Sequence, residues 1–351
     1  MTPTLMKAVV KTGLDKVEIQ SVKVPHPGPG QVLVKVFAAA QNPSDWMKLK
    51  IAGWGEGVCG HDFAGVIEQL GSDVSTETRK VGQRVAGWVD ACWSVEDGSG
   101  TFAEYCVADA SLLVDLPDSI SFESASTIAF AGFTACQALW QNQKLPTPLE
   151  PAKESFPILV WGGATTVGQY AVQLLKHAGL QVITTASSQN HDLMKKFGAD
   201  AVFDYKDPDV VSKIKAFCGS KDLNVAIDCA SLPESVKLIT ECIGDREGSY
   251  IALVLNPEVP AKHIKSEFTF VYTLLGKPTK GLYAYPAMAE HYELGKRFAH
   301  LLSHLLKEGK LEANPARVVP NGLADAQYWI DYQEQGKVRA EKIVYRIDSS
   351  V

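Results

Sequence analysis

The chain has 351 residues, 46% of them hydrophobic and 21% charged, which is enough apolar material for two ordinary cores and too little charge for a disordered polyelectrolyte. Lys and Arg number 34 against 40 Asp and Glu, a net charge of −6, and no basic cluster is placed to neutralise a row of phosphates, so nucleic acid is not an expected partner. The opening MTPTLMKAVVK lacks the marks of a secretory signal, and no apolar run approaches the roughly 18 residues of a membrane span, so a cytoplasmic protein with no membrane partner is expected.

From Lys7 to about Val114 the pattern is one of short strands, KAVVKT, VLVKVFAAA, FAGVIEQLG, RVAGWV and TFAEYCVAD, divided by Gly, Pro and Asp turn signals. This predicts a β-rich unit. After SISFESAST the helical stretches AGFTACQALWQ and VGQYAVQLLKHAG begin to alternate with the apolar runs FPILVW, QVITTA, ADAVFDY, NVAIDCA and GSYIALVL, as a doubly wound parallel sheet of an α/β protein requires. Residues 129–287 are assigned to that domain, with LPTPLEPAKESFP at 145–157 as a loop before its first strand. A helix from Met288 to about Lys307, then ARVVP, a short helix at LADAQYWIDYQ and a last strand EKIVYRI return to the first domain, which is therefore 1–128 with 288–351. The seven cysteines (Cys59, Cys92, Cys106, Cys136, Cys218, Cys229 and Cys242) form no C-x-x-C pair and read as small buried hydrophobes.

The segment ILVWGGATTVGQYAVQLL is a strand, a glycine turn and a helix, the setting in which glycines suggest a dinucleotide. Gly162 and Gly163 would let the backbone approach a diphosphate, Gly168 would let helix and strand pack closely, and Gly163, Ala164, Thr165, Thr166 and Val167 would face the phosphates at the positive end of the helix. An NAD site carries an Asp or Glu about 20 residues on, at the end of the second strand. Here that end reads TTASSQNH: no acid repels a 2′-phosphate, and Ser187, Ser188, Gln189 and Asn190 are placed to meet one, with Tyr205 after the third strand beside the ribose. NADPH is the expected cofactor, the other reading being that SSQN only caps the next helix.

With NPSDW at 42–46, GHDFAGVIEQLGSDV, VGQRVAG and GGATTVG on the page, the chain resembles the medium-chain dehydrogenase/reductase superfamily over nearly its whole length. The resemblance implies a GroES-like catalytic domain beside a Rossmann cofactor domain. Zinc members hold their metal with two Cys and the His of a G-H-E; the matching places here hold Asn42, His61 and about Phe130. Catalytic zinc needs about three protein ligands, and Cys59 with His61 offers no third, so no zinc is expected and His61 is read as orienting backbone through a hydrogen bond.

Within the superfamily the chain resembles the fungal trans-acting enoyl reductases of polyketide synthases, on NPSD at 42–45, the Pro-rich loop at 145–157 and the closing VRAEKIVYRI. It departs from their pattern at Met47, where a lysine is usual, and at Arg339 and Ala340 in place of Ser-Gly. The resemblance implies hydride transfer from NADPH to an α,β-unsaturated thioester on an acyl-carrier domain, with enolate charge on the thioester oxygen as the thing to stabilise. It implies cofactor contacts at Pro43, Ser44, Asp45, Trp46, Leu253 and Val254, a substrate wall at Phe130, Ala131, Gly132, Phe133, Thr134 and Ala135, and catalytic roles for Lys48, Thr134 and Tyr283. Against these stand plainer roles: Ser44 and Asp45 as caps of a helix beginning near Trp46, Lys48 as a solvated lysine, Thr134 back-bonding in its helix, and Tyr283 as packing. A monomer is expected. Two other functions remain open at this stage: a free-standing NADPH-dependent quinone or 2-enal reductase, and a non-catalytic dinucleotide-binding partner protein.

Overall fold

The computed structural model describes residues 2–50, 56–96, 98–281 and 283–347. The chain divides into two compact units, one of 1–130, 272–309 and 313–351, the other of 131–271 with 310–312. Apart from 310–312, the second unit runs to Val271, where the boundary expected from sequence is 287; the intervening 272–287 has no helical or strand periodicity in its sequence to mark the change.

In the first unit, β1 (Leu5–Gly13) and β2 (Lys16–Lys23) form an antiparallel ribbon. Next come β3 (Gln31–Ala40), α1 (Pro43–Leu49), β4 (Asp62–Leu70), β5 (Arg84–Trp88), β6 (Tyr105–Asp109), β7 (Val114–Asp115), α2 (Phe122–Ala125) and the start of α3 (Ala129–Trp140). The strand β3 is central because its side chains are apolar on both faces: it pairs with β4, with β6 and with β15 (Lys342–Arg346), a strand from the other end of the chain. Val32, Val34, Val36, Phe63, Ile67, Val85, Phe102 and Tyr345 meet in the core beneath it.

The second unit is built on β8 (Pro157–Trp161), β9 (Gln181–Thr185), β10 (Ala201–Phe203), β11 (Val225–Asp228), β12 (Tyr250–Leu253) and β13 (Lys265–Phe268), all parallel, in the order β10-β9-β8-β11-β12-β13. All five residues of β8 are buried, as expected of a strand covered on both faces by helices. Its helices are α4 (Thr166–His177), α5 (His191–Lys196), α6 (Val210–Cys218) and α7 (Pro233–Ile243). From β8 the chain winds outward first through β9 and β10, then restarts at β11 and winds the other way. The crevice at the C-terminal ends of β8 and β11 is thus a topological switch point, where open α/β sheets bind ligands. The helices α8 (Ala289–Lys307) and α9 (Ala326–Glu334) and strand β14 (Ala316–Val318) complete the first unit. Among the described residues no helix is long and apolar enough to cross a membrane.

Candidate active site

At the end of β8, Gly162 takes φ +77°, a left-handed conformation that favours glycine, and its amide donates to Thr185 Oγ1 at 3.0 Å. A Cβ on Gly163 would stand 2.0 Å from Thr184 Oγ1, and one on Gly168 would stand 2.4 Å from the Gly162 carbonyl oxygen. Both glycines are therefore required for the turn to lie against β9 and for α4 to lie against the turn. Thr165 caps α4, its hydroxyl accepting from Gly168 N at 3.0 Å. Ala164, Thr166 and Val167 are half-buried around this N-terminus, whose first-turn amides have no acceptor within the helix. A diphosphate fits this cradle.

Across the crevice, Asp228 ends β11 with no exposed surface. Its Oδ1 accepts from Ala230 N at 3.0 Å and Ser231 N at 2.7 Å, and its Oδ2 from Ser235 Oγ at 2.6 Å. Ser231, at φ +49°, donates its hydroxyl to the Asp228 carbonyl at 2.8 Å and accepts from Val254 N at 2.8 Å. This clasp fixes Val254, and Leu253 before it, at the end of β12. Leu253 and Val254 are expected from sequence, whereas Asp228 and Ser231 are not; the signal for them is the acid closing NVAID, followed by the small residues of CAS.

The end of β9 holds Ser187 and Asn190 half-buried, Asn190 Nδ2 donating to Ser187 Oγ at 3.1 Å, with Ser188 and Gln189 exposed in a single 3-10 turn. Tyr205 is 42% exposed, and the Lys206 ammonium lies 5.8 Å from its ring centroid. Lys206 is a cation not among the residues expected from sequence.

In the first unit, α1 begins at Pro43, with proline at the first turn, rather than near Trp46. Its cap is Asn42, and Asp45 Oδ2 reaches back to accept from Asn42 N at 2.7 Å, so Ser44 is inside the helix and not its cap. The other Asp45 oxygen lies 2.5 Å from His61 Nδ1, and His61 Nε2 lies 2.9 Å from the Tyr272 hydroxyl. Both ring nitrogens of His61 are therefore engaged by side chains, where sequence had suggested a backbone contact. Burial holds the Tyr272 phenol well above its ordinary range. Phe130 and Trp88 pack edge-on to the Tyr272 ring, at 5.6 and 6.0 Å between centroids.

Lys48 is 4% exposed, so it is no solvated lysine. It forms an ion pair with Asp90, donates to the Ala91 carbonyl at 2.9 Å, and stands 4.7 Å from the Tyr272 ring centroid. Pro43 is exposed, Ser44, Trp46 and Phe130 are half-buried, and Thr134 in α3 is 7% exposed, with Ala131, Gly132, Phe133 and Ala135 buried around it. Tyr283, 36% exposed, lies in an irregular segment where its carbonyl accepts from Thr279 Oγ1 at 2.7 Å. Lys48, Asp45 and Phe130 are thus brought together around His61 and Tyr272; Tyr272 and Asp90 were missed because their partners lie 211 and 42 positions away.

These features define the class: a nicotinamide-dinucleotide-dependent oxidoreductase of the medium-chain dehydrogenase/reductase type, with a glycine cradle at a Rossmann switch point and a β-rich companion unit. Residues 28–118 match the alcohol dehydrogenase GroES-like domain, and residues 166–275 match the zinc-binding dehydrogenase family. The chain is 35% identical to the trans-enoyl reductase caaB of Aspergillus niger, over 98% of both chains, and 36% identical to the trans-enoyl reductase thnE of Trichoderma harzianum, over 91% of this chain and 90% of the other. A solved structure, the quinone oxidoreductase from Coxiella burnetii, superimposes with a TM-score of 0.70 at 26% identity, over 98% of this chain and all of that one (100%). The chain belongs to the trans-enoyl reductase family and is an enoyl reductase of that superfamily.

The zinc implied by the second family's description does not fit the side chains present. Asn42 spends its amide on Asp62 and Lys342, and His61 has no ring nitrogen to spare. The Cys59 thiol is pushed up by its hydrogen bond with the Cys92 thiol and by burial. Among the described residues no group of three or more His, Cys, Asp or Glu is arranged to hold a metal ion.

Proposed function

We propose that the protein is an NADPH-dependent enoyl reductase that acts in trans on an α,β-unsaturated polyketide thioester held by the acyl-carrier domain of a polyketide synthase or hybrid synthase. The full-length likeness to trans-enoyl reductases supports the reaction. The choice of NADPH rests on the end of β9, where Ser187, Ser188, Gln189 and Asn190 stand with no carboxylate and Lys206 lies beside Tyr205. When bound, NADPH supplies the hydride that the β-carbon of the substrate accepts.

The chain's own part is to bind, orient and stabilise charge. Gly163, Ala164, Thr165, Thr166 and Val167 hold the diphosphate; Ser187, Ser188, Asn190, Tyr205 and Lys206 hold the 2′-phosphate through charge-assisted hydrogen bonds. Leu253 and Val254, with Pro43, Ser44, Asp45 and Trp46, orient the nicotinamide half, and Phe130, Ala131, Gly132, Phe133, Thr134 and Ala135 wall the acyl chain. Thr134 and the backbone amides beside it in AGFTAC face the developing oxyanion, where each preorganised donor is worth about 3 kcal/mol. The Lys48 ammonium, fixed by Asp90, adds positive potential; the α-carbon takes its proton from Lys48, Tyr283 or water. The proposal includes a monomeric, cytoplasmic enzyme.

Turnover measured by loss of NADPH absorbance tests the reading. A crotonyl thioester on a carrier domain is expected to react faster than the same thioester on free pantetheine, with NADPH bound at least roughly tenfold more tightly than NADH. A second reading, a quinone or 2-enal reductase acting on diffusible compounds, draws on the likeness to the Coxiella burnetii quinone oxidoreductase. Clear preference for a quinone over both thioesters would put it first.

A further inference from the structure

The closing EKIVYRI motif and the GHD motif meet in a buried node that takes no part in the chemistry above. Lys342 is 2% exposed and Asp62 not at all, and the two form an ion pair inside the first unit. Asp62 Oδ2 also accepts from Asn42 Nδ2 at 2.9 Å, while Asn42 Oδ1 accepts from the same lysine at 2.9 Å. The remaining Asp62 oxygen, Oδ1, accepts from the backbone amide of Phe130 at 2.7 Å. Four stretches of chain, separated by up to 300 positions, are therefore joined through one carboxylate.

Phe130 lies in the first turn of α3, where a backbone amide has no acceptor within the helix and where negative charge is favourable. Asp62 thus caps α3 from a strand 68 positions earlier. The cap also fixes the Phe130 ring, which packs 5.1 Å from His61 and 5.4 Å from Trp88 between centroids. Lys342 neutralises the buried carboxylate so that its second oxygen can be used in this way.

We infer that Asp62 is a positioning residue for reduction: through its bond to the Phe130 amide it sets where α3 begins and where the Phe130 wall stands, with the Lys342 ion pair holding the Asp62 side chain in place. This rests on the reading of Phe130 and its neighbours as the substrate wall. A purely stabilising node would be replaceable by any well-packed apolar pair. A positioning node is replaceable only by a pair that keeps an acceptor for the Phe130 amide.

Two double variants separate these. Asp62→Asn with Lys342→Met removes both charges and keeps a carbonyl oxygen facing Phe130 N; Asp62→Leu with Lys342→Met removes both charges and the acceptor. With the crotonyl thioester, the first is expected to keep kcat/KM within about threefold of the parent and the second to lose at least about tenfold, while NADPH affinity, whose diphosphate and 2′-phosphate contacts are proposed in the other unit, changes little in either. Hydrogen exchange at the amides of 129–133 supplies a readout independent of turnover: protection is retained in the first variant and lost in the second. Equal kcat/KM and equal exchange in two variants of matched thermal stability would overturn the inference. An inactive parent would instead overturn the proposed reaction, with the exchange comparison still deciding the role of Asp62.

Discussion

Asp228 carries a carboxylate with no exposed surface and three donors on it, and the competing influences on its proton make a testable case. Burial, the largest, pushes its carboxyl above the ordinary range, against the pull of Ser235, Ser231 and Ala230. The folded protein therefore holds this proton to higher pH than the unfolded chain does. Its contribution to stability is full below the unfolded value of about 3.9 and declines as pH rises through the folded value. Asp228→Asn keeps an acceptor for the two amides and has no such decline, so the unfolding free energy of the variant relative to the parent should climb as pH is raised above about 4. A pH series of urea melts checks this; a constant difference would refute it. Single residues such as Gly162, Gly163 and Gly168 were legible because the turn needs them and the sequence shows them close together between a strand and a helix. Lys48 stood among the catalytic candidates, but its burial was not legible: an Asp90 partner 42 positions away leaves no trace in local pattern, and the same holds for Asp62 and Lys342, 280 positions apart.

At the scale of elements, α4 and the turn before it are the part on which the proposed cofactor binding stands. Gly168→Ala would place a methyl group 2.4 Å from the Gly162 carbonyl oxygen and 2.7 Å from Gly163 Cα, both backbone atoms, so helix and turn must separate. NADPH affinity, read by fluorescence titration, should fall by at least about tenfold, with a stability loss of about 1–3 kcal/mol from the overpacking. Unchanged affinity would mean that the phosphates sit elsewhere. Strands β3, β8, β9, β11 and β12 were readable because burial on both faces forces continuous apolar runs. Strands β2 and β13 were missed for the converse reason: most of KVEIQSVK is exposed and none of KSEF is fully buried, so neither shows the alternation of a half-buried strand. Helix α1 was displaced by three residues because its proline reads as a turn signal as readily as a first helical residue.

For the molecule as a whole, the absence of a fitting zinc donor set among the described residues bears on handling. Dialysis against a strong chelator should leave both melting temperature and thioester turnover unchanged, and loss of either, restored by zinc, would contradict the reading of Asn42 and His61. Composition and motif order made the two-unit plan legible, whereas the return to the first unit at Tyr272 was not, since 272–287 has neither period. That plan has a consequence for biosynthesis on the ribosome. Residues 131–271 are all available to fold before the last strand emerges, whereas β3 waits for β15 along one edge and Asp62 waits for its ammonium until Lys342 is made. The earlier-translated unit is therefore the later one to mature, and a nascent chain stalled short of Lys342 would hold a cofactor-binding half beside an unfinished catalytic one.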